Sequence, residues 1–175
     1  MIPGKLLAKC VCVFLFVCFC PRILVSQTAT VTFYTPYRTS MQQFRDEEAW
    51  GKRRPDFGRV FDNGAGLARL GPNRIVSFQL PVGAHNFSAR FKAKPQDHHS
   101  DSLTLDLSAS EHYYLRLTVT GKPWNPYVLS GPHLENVDCS VALKEFGKSK
   151  PLEQKYVEKN ALSALRTDGP DITCP

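Results

Sequence analysis

Once its first 26 residues are set aside, the chain is almost without cysteine. Only Cys139 and Cys174 remain, so the six cysteines of the whole sequence cannot be read as a disulfide framework. Long apolar runs are missing too. The longest, "CVCVFLFVCFC" from Cys10 to Cys20, has 11 residues, whereas a membrane-spanning helix needs about 20. There is no Gly-x-Ser-x-Gly and no glycine-rich phosphate loop, which removes the two most recognisable frames for nucleophilic and phosphoryl chemistry. Helical segments do not alternate with strands, so a doubly wound parallel sheet is not expected. No fixed-period repeat and no low-complexity tract is visible. Charge of one sign is also scarce. The net charge of +6 falls to +3 without Lys5, Lys9 and Arg22, with 19 basic against 16 acidic residues. That is too mild a surplus to predict a nucleic-acid partner.

What is present begins with a leader. Lys5 and Lys9 precede the apolar run, and Pro21, Arg22 and "ILVSQ" follow it. Basic, apolar, then small is the order of a secretory signal. The expectation is a signal peptide over residues 1–26, cut after Ser26, although Ala29 also suits the position before a cut. If the signal stayed uncleaved, Ile23 to Val25 would extend the run and the segment would act as an anchor, the one route to membrane association. The leader cysteines follow Lys9, Val11, Val17 and Phe19. None has the small residue before it that bacterial lipid attachment wants. The expected location is therefore secreted, periplasmic or cell envelope.

Beyond the leader, alternation dominates. Ala29–Thr35, Phe57–Asp62, Gly66–Leu70 and Arg74–Leu80 read as strands. From His85 to Ala93 each odd position is apolar or His, and each even one polar. His85 thus shares the face of Phe87, Ala89 and Phe91, which predicts a core residue with its ring nitrogen bonded to a backbone or hydroxyl group. On that reading His85→Phe changes stability by about 1–2 kcal/mol. Leu103–Leu107, Glu111–Thr120 and Val137–Leu143 alternate likewise, the last with Cys139 inward. Asn63-Gly64 and Gly71-Pro72-Asn73 mark turns. About eight half-apolar strands at close spacing predict an all-β, antiparallel sandwich or barrel, with the domain over residues 29–148. A helical or flexible tail should follow over 149–175, where Leu152, Tyr156, Leu162 and Leu165 fall on one helical face.

"PVGAHNFSA", "LTLDLSASEHYYLRL" and "VDCSVALKEF" together resemble a family of small bacterial envelope proteins, often lipoproteins, whose domain has no assigned function. The likeness covers about residues 29–150. It implies a small antiparallel β-sandwich similar to the Ig-like and prealbumin-like modules, and brings no catalytic residues. The sequence departs from the family in lacking a lipid-attachment cysteine and in its long Pro36–Pro55 segment.

Candidate functional residues are few. His98, His99 and Asp101, with His112, form the only metal-like cluster, without a recognisable further ligand or second shell. A solvated loop is the plainer reading, and no metal or other cofactor is expected. "FRDEEAWGKRRP" is a charge-compensated stretch inside a long unpatterned insertion, the kind of segment that carries recognition in a small sandwich. Arg45, Trp50, Arg53 and Arg54 are its candidate binding residues, with Trp124 and Tyr127 as a second aromatic surface. Asn86-Phe87-Ser88 matches the glycosylation pattern, which the bacterial resemblance makes accidental. Cys139 and Cys174 would close a segment of about 35 residues if bridged, and an oxidising compartment favours the bridge. Inward packing of Cys139 as a small hydrophobe argues against it.

These readings converge on an exported, non-enzymatic sandwich of the cell envelope with a binding or structural role, its partner an envelope protein or a glycan. The alternatives are a hydrolase or metal-dependent enzyme built on the loop histidines, or a carbohydrate-binding module using Trp50, Trp124 and Tyr127.

Overall fold

The structure is a computed structural model that describes residues 27–36, 58–90, 101–122, 125–168 and 174. Its strands are β1 (Thr28–Tyr34), β2 (Arg59–Asp62), β3 (Ala65–Arg69), β4 (Arg74–Pro81), β5 (Gly83–Arg90), β6 (Asp101–Leu107), β7 (His112–Lys122), β8 (Asn125–Val137) and β9 (Lys150–Pro151). One helix, α1 (Cys139–Phe146), and two 3-10 turns, Gln154–Tyr156 and Lys159–Ala164, complete the described elements. The strands form a five-stranded sheet in the order β8-β7-β1-β4-β9 and a four-stranded sheet in the order β3-β2-β5-β6.

Alternation explains why the two sheets share one core. In the first sheet, Val31 and Phe33 on β1 lie opposite Phe78 and Val76 on β4, and opposite Tyr113 and Leu115 on β7. In the second, Val60 lies opposite Ala89, and Phe87 opposite Leu103. These rows meet between the sheets. The Phe33 ring packs edge-on against Phe78 at 6.2 Å and against Phe87 at 5.6 Å. Each such pair adds about 0.5–1.5 kcal/mol beyond its burial. The expected Asn63-Gly64 turn joins β2 to β3. Its φ angles of 47° and 82° give the two-residue turn whose twist matches a hairpin. Gly83, at φ 120°, lies where the chain leaves β4 in one sheet and enters β5 in the other.

The fold is all-β in the main, with three corrections to the sequence expectation. First, the sheets are not purely antiparallel, because β1 pairs with β7, and β4 with β9, in parallel. Long connections bring those strands together, and no local signal announces their direction. Second, the expected strand Val137–Leu143 is helical from Cys139. The alternating Val137, Cys139, Val141 and Leu143 concealed a helical face, since Ala142 and Phe146 are the buried positions while Val141 is 37% exposed. Asp138, with extended backbone, precedes the first turn, and its carbonyl accepts the Ala142 N–H at 3.0 Å. Third, "NPYVLSGPHLENV" carries two prolines and no sustained alternation, yet it forms β8, the longest described. Its prolines are tolerated because β8 is an edge strand, where one side needs no ladder donors.

The C-terminal stretch is not one α-helix. Lys150 donates to the Asn73 carbonyl at 2.9 Å and Leu152 to Ile75 at 2.8 Å. The chain then crosses to the second sheet, where Glu158 donates to Leu67 at 2.9 Å, and returns so that Arg166 donates to Ser77 at 2.9 Å. Val157 and Ala161 are buried in the shared core along this strap, and Tyr156 faces out.

Candidate functional site

The outer face of the first sheet is partly roofed by α1, and the densest polar arrangement of the described residues lies there. Since Val31 and Phe33 point inward, Thr32 and Tyr34 must point outward. On β7 the same rule sends His112, Tyr114 and Arg116 outward. Register places Thr32 opposite Tyr114 and Tyr34 opposite Arg116. Tyr34, Ile75, Tyr114, Ala142 and Phe146 make a second, smaller apolar cluster beneath the helix. Tyr34 and Phe146 meet edge-on at 5.0 Å.

Around that cluster, charge is tightly paired. The Tyr34 hydroxyl donates to Glu145 Oε2 at 2.6 Å. Arg116 Nη1 donates to Glu145 Oε1, and Nη2 donates to Glu135 Oε2 at 2.6 Å. One guanidinium on β7 thus joins a carboxylate on α1 to a carboxylate on β8. Burial, and then the hydrogen bond to the Glu145 carboxylate, hold the Tyr34 phenol well above its ordinary range. The bond to Glu135 raises the Arg116 guanidinium, against the opposing effect of burial. The arrangement pins α1 to three strands.

A second chain runs alongside. Ser77 Oγ and Thr32 Oγ1 are 2.7 Å apart, and Thr32 Oγ1 is 2.8 Å from His112 Nε2. The His112 ring stacks on Tyr114 at 4.3 Å. Hydroxyl beside imidazole resembles nucleophile chemistry, but Thr32 is 0% and Ser77 4% exposed. The geometry serves the packing of the sheet face.

His85 answers its sequence reading in part. It is buried at 7% exposure and stacks on Phe87 at 5.7 Å. Its Nε2–H donates to the Pro81 carbonyl at 3.0 Å, the expected backbone partner. Its Nδ1 lies 2.9 Å from both oxygens of Asp62, a carboxylate that sequence reasoning missed. The signal was faint: Asp62 ends β2 just before the turn, and only register, with Asp62 opposite Phe87, carries it to the inner face beside His85.

Of the expected site residues, Arg45, Trp50, Arg53, Arg54 and Trp124 lie outside the described residues, as do His98 and His99. Tyr127 occupies a position on β8. Among the described residues no group of three or more His, Cys, Asp or Glu could hold a metal ion. Asn86 is exposed on β5, its backbone N–H bonded to Asn63 Oδ1 at 3.1 Å. Cys139 and Cys174 are joined in a disulfide, with Cα atoms 5.7 Å apart. Placing Cys139 in the first turn of α1, rather than within a sheet, removes the objection that it is walled into the sandwich. No protein-family model, curated protein or solved structure matches the chain.

Proposed function

We propose that this is an exported, non-catalytic β-sandwich protein of the cell envelope, acting by binding or as a structural module. The observation that carries the reading is the Cys139–Cys174 disulfide in a chain headed by a basic, apolar, small-residue leader. Such bonds persist in oxidising compartments and are rare where thiols are kept reduced. The resemblance to bacterial envelope domains supports the same location. The internal commitments of His85 and Arg116 agree with a scaffold role for those side chains. Binding is assigned to the Arg45–Arg54 stretch and to Trp124 and Tyr127, with an envelope protein or a glycan as partner.

The test is expression with the leader in a bacterial host, followed by fractionation and intact mass measurement after alkylation without reduction. Protein in the periplasm, starting near Gln27 and carrying no alkylated thiol, is the expected result. A cytosolic chain retaining Met1, with Cys139 and Cys174 both alkylated, overturns it. Capture from envelope extract and a glycan screen, each with the purified mature protein, then separate the two partner classes.

A further inference from the structure

We propose that the Cys139–Cys174 disulfide is a redox latch whose reduction by a dithiol frees the C-terminal strap, residues 150–166 with β9, while α1 and the remaining strands of both sheets stay folded. The bond closes a segment with a sequence separation of 35, and that segment contains α1, β9 and both 3-10 turns. The parts of the segment are unequally held. α1 is fixed by Glu145, which bonds Tyr34 and Arg116, and by the burial of Ala142 and Phe146. The strap buries Val157 and Ala161 in the core, with Leu152, Leu162, Ala164 and Leu165 packed against it, but its backbone pairing is scattered. β9 has two residues, and the other strand-like pairings of the strap are single bridges, Ala68 with Val157 and Phe78 with Leu165. By contrast, β1 pairs with β4 over seven consecutive positions. Segments held by isolated hydrogen bonds open before strands paired along their whole length, and a covalent loop suppresses that opening by restricting the opened chain.

The strap covers something specific. Glu158 N–H and Asn160 Nδ2 occupy the Leu67 and Gly66 carbonyls on the outer edge of β3. Val157 and Ala161 close the core between β3 and β4. Releasing the strap therefore bares a strand edge and apolar core residues at the same place.

The two sulfurs are not equivalent. Cys174 is exposed, and Cys139 is half-buried in the first turn of α1. A reductant thiolate attacks Cys174 Sγ, the S–S bond breaks, and Cys139 departs as a thiolate that takes up a proton. The second thiol of the dithiol then attacks the mixed disulfide and releases Cys174. The protein gains two electrons and two thiols, and the reductant ends as a disulfide.

Hydrogen exchange on the full mature chain tests this, comparing oxidised protein with protein reduced by dithiothreitol and alkylated. The amides of Leu152, Glu158 and Arg166 should exchange faster after reduction, on the order of a hundredfold. Those of β1 and β4 should keep their protection. Unchanged strap amides overturn the proposal, and so does loss of protection throughout the chain, which would make the bond a requirement of the whole fold. Cys174→Ser must reproduce the reduced pattern without any reductant. Brief exposure to glutathione, a monothiol, should leave an adduct on Cys174, and an adduct on Cys139 instead refutes the order of attack. The proposal does not depend on envelope location, and its failure would leave that reading standing.

Discussion

Replacing His85 by Phe keeps an aromatic ring against Phe87 but removes both polar contacts. Pro81 loses a donor to its carbonyl, and Asp62 loses the partner 2.9 Å from its oxygens. The Asp62 side chain is only 14% exposed and that of His85 8%, so water only partly replaces what is lost. A hydrogen bond to a charged group contributes about 1.5–3 kcal/mol, and a neutral one about 0.5–1.5. The cost should therefore be about 2–4 kcal/mol, above the 1–2 kcal/mol expected of an ordinary core swap. Asp62→Ala alone should cost about 1–3 kcal/mol, since it strands Nδ1 instead. The double variant strands neither, and its cost should fall short of the sum by about 1–3 kcal/mol. Urea unfolding followed by far-UV circular dichroism gives all four stabilities. Additivity within about 0.5 kcal/mol would refute the reasoning, because the two side chains would then act independently.

Three further outcomes can be checked. Phe33→Ala removes the ring that contacts both Phe78 and Phe87 and should cost about 3–5 kcal/mol, read as a lower urea midpoint with little change in slope. The raised Tyr34 phenol is protonated in the folded protein where the unfolded chain ionises. Its contribution is complete below the unfolded value, about 10, and is lost as pH rises above it. Tyr34→Phe should therefore flatten the fall in stability measured between pH 9 and pH 11, on the order of the unfolded phenol's titration range, and an unchanged slope contradicts the assignment. Deleting residues 42–54 should leave the far-UV spectrum and urea midpoint near those of the parent while abolishing partner capture. Capture that survives the deletion moves the binding surface elsewhere.

Local pattern was enough for much of this protein. Val31 and Phe33, Val76 and Phe78, and Leu115 and Leu117 announced their strands and their inner faces, because neighbouring side chains on a strand point to opposite sides. Asn63-Gly64 announced its hairpin, since both residues tolerate positive φ. Even the burial of His85 followed from its sharing a strand face with Phe87 and Ala89. Local pattern misled where two periods fitted one stretch: Val137–Leu143 reads as alternation over seven residues, and only the apolar surface of Tyr34, Ile75 and Tyr114 selects the helix Cys139–Phe146 that lays Ala142 and Phe146 upon it. It was silent where partners are remote. Tyr34 and Glu145 are 111 positions apart, and Thr32 and His112 are 80. The parallel pairing of β1 with β7 brings them within reach. A side chain's direction is a property of its own strand, whereas its partner depends on which strand lies alongside and in what register, and that is settled only when the two sheets close on a common core.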